Sequence, residues 1–350
     1  MAWWRLQSHS GQVRSKAGIR AIRDNPAESG ATAWFARRAL LRAAVFDTRD
    51  QELWAGPPAG AASVTTGVIE EVREDAIAVD SGHGTEFFAL SPATVTWLGA
   101  RASPSALRSG DPVIIRHQTR DAAPSRRHAE RIWARAGRVT GTIVAADGRE
   151  FLVDGRRQDR SPLRVVLAPA SSRQIQVRFP RLAPGYLLDV IGTRHEDHLL
   201  AVAPATAQPP YHAGHVPRPP LVDGPVPVPI SGSAVWHEPD DEPPGLLGLA
   251  YPAIDPETGA EPADGATGCV RLPYLSLGAA VRVRNECADR AAVLPVTSDG
   301  AMAREFCDRC VQCGTSPKGR VADLTMAAFV ELGGNLEDGC FNATLTTLAG

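Results

Sequence analysis

The sequence predicts a mainly β, multidomain protein, and three observations lead to this fold class. From Thr66 onward, short runs of alternating apolar and polar residues are separated by Gly, Asp and Pro, a pattern typical of strands joined by tight turns. The run from Thr66 to Asp80 recurs from Thr140 to Asp154 with the same internal spacing, which indicates a duplicated unit. All six cysteines fall in the last quarter of the chain. We therefore expect two tandem small β-barrels followed by a third β domain that disulfides stabilise.

Residues 1–62 are predicted to form a polar leader that is partly disordered and contains one helix, from Ala31 to Phe46. Residues 1–30 carry arginines where a secretory signal would place an apolar core. Arg37, Arg38 and the apolar stretch after them are similar to a degraded twin-arginine signal. A mis-assigned start codon or a long polar leader are the alternatives.

Residues 63–136 and 137–203 are the two predicted barrels, and they resemble the short OB-like modules repeated in bacterial surface proteins. Residues 204–229 are rich in proline and poor in positions that could form a core. We expect this segment to be a semi-rigid extended linker that holds the C-terminal domain, residues 230–350, away from the repeats.

The cysteines predict a local disulfide framework. Three of them lie close together and three are dispersed, so each clustered thiol can cross-link to a distant one, and the sequence does not choose among the pairings. Disulfides indicate an oxidising compartment. The six candidates are Cys269, Cys287, Cys307, Cys310, Cys313 and Cys340.

Three runs in the last third of the chain carry a family resemblance. Residues Gly232–Trp236 read GSAVW, Leu272–Asn285 read LPYLSLGAAVRVRN, and Asp323–Phe329 read DLTMAAF. These runs are similar to the opening strand, the central core and the Asp-Leu-Ser turn with its helix in the double-psi β-barrel family of expansins, barwin-like proteins and bacterial rare lipoprotein A. The resemblance implies a C-terminal double-psi β-barrel.

Two departures from the family pattern concern its polar residues. The family histidine that precedes Leu-Pro is missing, because Gly268 to Arg271 stand in its place. His237, directly after the opening strand, is a candidate replacement. The first family aspartate has two candidates, Asp308 in the CDRC run and Asp299 in the SDG run.

The candidate catalytic residues are Asp308 and Asp323, with Asp299 as the substitute for Asp308. Cleavage of a glycosidic bond needs an acid that delivers a proton to the leaving oxygen, and burial or a neighbouring carboxylate raises the pKa of such an acid. The resemblance implies that these carboxylates line a groove that meets a sugar. The predicted substrate-binding residues are Trp236, His237 and Tyr274.

Asp323 also has a structural interpretation. The apolar positions after it indicate a short amphipathic helix, and a carboxylate at the start of a helix is stabilised by free backbone amides and by the helix dipole. Seven arginines between Arg116 and Arg138 make the end of the first repeat basic. We interpret them as a solvated hairpin face, with docking of a polyanion as the alternative.

The spacing of Cys307, Cys310 and Cys313 also matches the first three ligands of a bacterial ferredoxin cluster, but Pro317 stands where the fourth ligand belongs. Zinc bound by these thiolates and a fourth cysteine is a related alternative. We expect neither, and we predict no cofactor.

The charge balance and hydropathy exclude some classes of function. The chain has 37 basic and 39 acidic side chains, so no overall field attracts it to nucleic acid. No apolar run approaches the roughly 18 residues that span a bilayer. We predict an extracytoplasmic, cell-wall-associated protein that binds, and by extension remodels, peptidoglycan or another polysaccharide. A peptidoglycan lytic transglycosylase with an aspartic acid as proton donor is the alternative, and a non-catalytic interaction protein is the second alternative.

Overall fold

The computed structural model of the protein describes residues 63–118, 127–155, 161–215, 229–238, 245–254, 269–300, 302–310 and 319–348. The predicted leader, residues 1–62, and its helix from Ala31 to Phe46 lie outside these ranges. In the described ranges strands dominate and the helices are short, so the mainly β fold class is confirmed.

Domain 1 is a seven-stranded sheet. Its strands are β1 (Ser63–Val72), β2 (Ala76–Asp80), β3 (Thr85–Ala89), β4 (Val95–Trp97), β5 (Arg101–Ala102), β6 (Pro112–Gln118) and β7 (Arg127–Ala134). They are arranged in the order β3-β2-β1-β6-β7-β4-β5. A short parallel pairing of β3 with β7 closes five of these strands into a ring.

Domain 2 is a closed five-stranded barrel. Its strands are β8 (Ala136–Asp147), β9 (Glu150–Asp154), β10 (Leu163–Leu167), β11 (Leu187–Arg194) and β12 (Leu199–Pro204), and helix α1 (Ser172–Arg178) lies between β10 and β11. The strand order is β10-β12-β11-β8-β9, with a parallel β10–β12 pair. The ring in domain 1 repeats this arrangement strand for strand, as the duplicated sequence predicts.

A close approach of two strands explains why the same glycine occurs in both repeats. A Cβ atom added to Gly67 would lie 2.2 Å from the backbone oxygen of Asp80, and one added to Gly141 would lie 2.2 Å from that of Asp154. The first long strand of each domain therefore approaches its neighbour too closely for any side chain. The strand is also bulged two residues later in both domains.

Domain 3 is a closed six-stranded barrel. Its strands are β13 (Ile230–His237), β14 (Leu249–Tyr251), β15 (Ala280–Asn285), β16 (Arg290–Asp299), β17 (Arg320–Thr325) and β18 (Cys340–Thr347), and helix α2 (Met326–Glu331) follows β17. The order around the barrel is β13-β17-β14-β16-β15-β18. Two neighbouring pairs, β13–β17 and β14–β16, are parallel.

The start of α2 differs from the prediction. Thr325 is the N-cap, because its hydroxyl accepts a hydrogen bond from the Ala328 amide at 3.3 Å. Asp323 lies two residues earlier, within β17, so the interpretation of Asp323 as a helix-capping carboxylate is wrong. The predicted short helix itself is present, and Phe329 stacks on Phe341 in the core with ring centroids 4.7 Å apart.

The three domains pack directly on one another. The core of domain 3 is continuous with Trp133 of domain 1 and Ile191 of domain 2. Met302 and Phe306, from a loop of domain 3, complete the core of domain 2. No helix in the described part of the chain has the length and apolar character needed to cross a membrane.

The predicted linker, residues 204–229, is described as far as residue 215 and again from residue 229. Its first residues do not extend away from the repeats. Ala205 and Thr206 are fully buried, and Ala207 forms an isolated bridge with Arg309 of domain 3. This buried position is compatible with the proline content, because an extended segment can pack against a domain as well as hold two domains apart.

Candidate functional site

The strand β17 carries two of the polar residues that form the candidate site. Ala322 and Leu324 belong to the domain 3 core, so Asp323 between them lies on the outer face of the barrel. Arg320, at the start of the strand, is also buried. Asp308 reaches the same place from the loop that follows a short 3₁₀ turn, Ala303–Glu305.

The Arg320 guanidinium joins the two predicted catalytic aspartates. It donates to Asp308 Oδ2 from Nε at 3.0 Å and from Nη2 at 2.6 Å. Asp308 Oδ1 accepts a hydrogen bond from the Ser233 hydroxyl at 2.8 Å. Asp308 is thus fully buried with both oxygens bonded, and the structure does not place it on an open groove.

Domain 2 extends this group of charges. Asp189, in β11, accepts from Arg320 and from Arg138 in β8, whose Nε and Nη2 lie 2.8 and 2.6 Å from its two oxygens. The hydroxyls of Thr140 and Thr206 donate to Asp189 as well, at 2.9 and 3.2 Å. We refer to Arg138, Asp189, Asp308 and Arg320 as the arginine–aspartate network.

Asp189 is ionised within this network. Burial opposes its charge, but Arg138 and Arg320 outweigh that effect and lower the pKa of Asp189 to about 2. Arg138 is 4 % exposed, so the prediction that it belongs to a solvated hairpin face is wrong. A guanidinium can be buried here because two carboxylate oxygens and the Gly339 carbonyl accept its hydrogen bonds.

Asp323 stands at the edge of the network. Its side chain is 13 % exposed, and its Oδ1 lies 3.6 Å from Arg320 Nη1. Neither of these two buried atoms makes a hydrogen bond with any residue in the described ranges. Burial raises the pKa of Asp323, although the positive charges of Arg320, His237 and Arg138 act in the opposite direction.

His237 and Asp299 lie on strands near Asp323. His237 ends β13, is half-buried, and is close enough to influence the ionisation of Asp323. Asp299 ends β16 and is also half-buried. Ala250 in β14 pairs with Asp323 on one side and with Ser298 on the other, so β14 separates the two predicted carboxylates. The structure brings Asp323 together with Asp308 and His237, and it leaves Asp299 one strand away.

The two predicted aromatic residues differ in exposure. Trp236 is 1 % exposed, and its indole nitrogen donates to the Leu336 carbonyl at 3.0 Å. Its ring belongs to the core and is not presented to a sugar. Tyr274 is 50 % exposed.

The disulfide framework is confirmed for one pair. Cys269 and Cys307 are bonded, with Cα atoms 5.2 Å apart. This bond anchors the residue directly before Asp308. Cys287 is also disulfide-bonded, Cys310 and Cys340 are buried together with Val235, and Cys313 lies outside the described ranges. Among the described residues, no three His, Cys, Asp or Glu side chains are placed to hold a metal ion.

A cavity of about 360 Å³ lies where the three domains meet. Ile114 and Trp133 of domain 1 and Met326 of domain 3 contribute apolar walls, and the ion pair of Arg194 with Glu238 also lines it. Sequence reasoning did not predict this cavity, because its walls come from three domains.

The network residues Arg138, Asp189 and Arg320 were also missed. The repeat contains a signal that could have found two of them. Thr66 pairs with Ile114 in domain 1, and Thr140 pairs with Asp189 in domain 2, so Asp189 replaces an isoleucine. Two residues before each threonine, Arg138 replaces Val64. Charges that replace apolar residues of the core, or residues packed against it, indicate a specific contact.

No protein-family model matches the chain, and no curated protein matches it in a sequence search.

Proposed function

We propose that this chain is an extracytoplasmic, cell-wall-associated protein that binds peptidoglycan or another polysaccharide at the outer face of domain 3, beside Asp323. The resemblance of domain 3 to the double-psi β-barrel family of expansins, barwin-like proteins and rare lipoprotein A supports this proposal. Its six-stranded closed barrel is compatible with that family.

The observation that carries the proposal is the pair of atoms Asp323 Oδ1 and Arg320 Nη1. One is an acceptor and the other a donor, both are buried, and they form an ion pair at 3.6 Å, but neither has a hydrogen bond with any described residue. Leaving a buried polar group without a hydrogen bond costs about 1 to 3 kcal/mol. A hydroxyl group can donate to the first atom and accept from the second. Polysaccharides present many hydroxyls in fixed geometry, which is why they fit this pair.

The cysteines support the proposed compartment. A disulfide between Cys269 and Cys307 is typical of secreted and cell-surface proteins and rare in the cytosol. In this proposal His237 and the exposed Tyr274 contribute contacts to the glycan beside Asp323. Trp236 supports the site from the core rather than by contact with sugar.

A lytic transglycosylase is the second candidate function, and one observation favours it. The pKa of Asp323 is raised by burial, as a residue that delivers a proton to a glycosidic oxygen requires. Asp308 is bonded through both oxygens, so in this version Asp323 is the acid and Asp308 positions Arg320. The two predicted catalytic aspartates thus have different roles in this version.

A pull-down with insoluble peptidoglycan tests binding. The wild-type protein should sediment with the polymer, and Asp323→Asn should lose at least roughly tenfold in affinity, since about 1.4 kcal/mol corresponds to that factor. Asp289→Asn is the matched control, because Asp289 forms an exposed ion pair with Arg284 in the same domain. If wild type and Asp323→Asn sediment equally, the site is wrong.

The same incubation separates binding from cleavage. Soluble muropeptides that are released by the wild-type protein and absent with Asp323→Asn would establish the lytic function. Sedimentation without release would leave a glycan-binding protein. If the wild-type protein neither sediments nor releases fragments, the remaining alternative is an interaction protein that does not act on glycan.

A further inference from the structure

The arginine of the proposed glycan site is held by a residue of another domain. Arg320 Nη2 donates to both Asp308 of domain 3 and Asp189 of domain 2. Its Cζ atom also lies 4.2 Å from the ring centroid of Phe306, which packs in the domain 2 core. These contacts on one side of the guanidinium leave Nη1 directed toward Asp323.

We propose that Asp189, held in turn by Arg138, is a positioning residue of the glycan site: it fixes Arg320 so that Nη1 faces Asp323. This inference rests on the function proposed above and extends it, because it makes domain 2 a structural part of a site whose ligand contacts lie in domain 3.

The duplicated domain supports a specific role for this pair. Domain 1 has Val64 and Ile114 at the positions of Arg138 and Asp189. Ile114 is buried in the shared hydrophobic core, and Val64 is partly buried and packs against it. The same ring of five strands therefore forms without these charges. Replacing a buried ion pair by apolar residues is often neutral or stabilising, so fold stability alone does not account for Arg138 and Asp189.

The charges in the network also set the state of Asp323. Arg320 contacts Asp323, and the charges of His237, Arg138 and Asp189 also act on it. The network together with Asp323 contains two arginines and three aspartates, so carboxylates outnumber guanidinium groups by one. Asp189 and Asp308 are fully buried and hydrogen-bonded, whereas Asp323 is partly exposed. A proton that balances the extra negative charge is accommodated best on Asp323. Removal of the Asp189 charge with Arg320 still in place would favour ionisation of Asp323, whereas release of Arg320 would oppose it.

The test uses the full chain with Asp189→Asn. If Asp189 positions Arg320, its loss should raise the pKa of the Asp323 carboxyl, followed by ¹³C NMR, because the Arg320 charge that lowers this pKa is no longer held beside it. The pH midpoint of peptidoglycan sedimentation should move up with it. If Asp189 acts only through its own negative charge, the pKa of Asp323 should fall instead, because that charge raises it.

Asp111→Asn is the matched control, since Asp111 is a buried carboxylate of domain 1 that pairs with Arg135 at 3.3 Å. It should leave both pH profiles unchanged. If Asp189→Asn does not fold, Arg138→Val/Asp189→Ile reproduces the pair that domain 1 carries. This variant removes two charges that act on Asp323 in opposite directions, so its readout is sedimentation with peptidoglycan at a fixed pH, which should weaken because Arg320 loses its domain 2 carboxylate. An unchanged or lowered pKa of Asp323 in folded Asp189→Asn, or unchanged sedimentation of the double variant, overturns the inference.

The two proposals fail in distinguishable ways. If the wild-type protein does not sediment with peptidoglycan at any pH, the proposed function is wrong, and the titration of Asp323 still decides whether Asp189 acts on it. If the wild-type protein sediments and Asp189→Asn has the wild-type pH profile, the function stands and the positioning role is wrong.

Discussion

Asp308 and Asp323 contact the same guanidinium, but the protein treats their charges differently. Asp308 has a hydrogen bond on each oxygen and no exposure. Asp323 Oδ1 forms only the ion pair with Arg320, without a hydrogen bond to any described residue, and burial raises the pKa of Asp323. One carboxylate stabilises the fold, and the other is maintained at a cost that a ligand can relieve. Such a cost is typical of functional residues.

This contrast predicts opposite stabilities for two similar variants. Asp308→Asn should lose about 3 kcal/mol of unfolding free energy, because it leaves the buried Arg320 charge incompletely paired. A carboxyl whose pKa is raised on folding stabilises the folded state below its unfolded pKa, and this contribution is lost as pH rises through the folded pKa. Asp323→Asn cannot ionise, so at pH 7 it should be at least as stable as wild type. Urea denaturation at pH 7 measures both.

Asp289→Asn, at an exposed ion pair, should stay within about 0.5 kcal/mol of wild type in the same measurement. A destabilised Asp323→Asn together with an unaffected Asp308→Asn would reverse the assignment of structural and functional carboxylates.

Sequence motifs identified part of the candidate site in domain 3. The Asp-Leu-Thr run pointed to Asp323, and the family resemblance pointed to His237. The network was not predictable in the same way, because Asp189 and Arg320 are 131 positions apart and only the packing of two barrels brings them together. Asp308 was found, but its burial was not, since a charged run between cysteines is compatible with either surface or interior.

At the scale of elements, close approach of strands explains the duplicated pattern. Gly141 in β8 lies so near β9 that an added Cβ would collide with backbone rather than with a flexible side chain. The same holds for Gly67 in domain 1. The sequence predicted two similar barrels from this spacing because glycine, bulge and strand recur together.

Gly141→Ala should therefore destabilise the protein by about 3 kcal/mol, since either the strand pair separates or the bulge shifts. Thermal unfolding gives the comparison. Val144→Ala, at an exposed position of the same strand, is the control and should change the unfolding free energy little. A Gly141→Ala protein as stable as Val144→Ala would show that the two strands can move apart without loss.

Helix α2 illustrates a limit of local reasoning. Asp323 and Thr325 are both residue types that cap helices, and they are two positions apart. Asp323 adopts strand rather than helix-capping conformation because β17 pairs with neighbouring strands on both sides. Such pairing depends on β13 and β14, which no window around Asp323 contains.

At the scale of the whole molecule, the disulfide between Cys269 and Cys307 closes a loop of 38 residues that contains all of β15 and β16. In the chain-entropy model a loop of this size contributes about 4 kcal/mol. The double variant Cys269→Ser/Cys307→Ser should lose about that much, as measured by chemical denaturation under oxidising conditions. In a reducing buffer wild type and variant should converge. If the wild-type protein is equally stable in oxidising and in reducing buffer, the disulfide does not stabilise the fold and the prediction is wrong.

The fold class was predictable because strand periodicity, the repeat and the cysteines are all features of the sequence itself. The arrangement of the domains was not. Proline between residues 204 and 229 indicated a spacer, whereas Ala205 and Thr206 are fully buried. The composition of a segment indicates how stiff the segment is, but not which surface it packs against.

Met302 and Phe306 complete the core of domain 2, although they lie far beyond its last strand, β12. A chain that folds from its N-terminus during synthesis cannot give domain 2 its final packing until the loop of domain 3 has been made. Domain 2 therefore remains incompletely packed until the segment that also carries Cys307 has been synthesised. Its maturation is linked in time to oxidation of the tail, so a chain that stalls before residue 306 would present an unfinished apolar interior to chaperones and proteases.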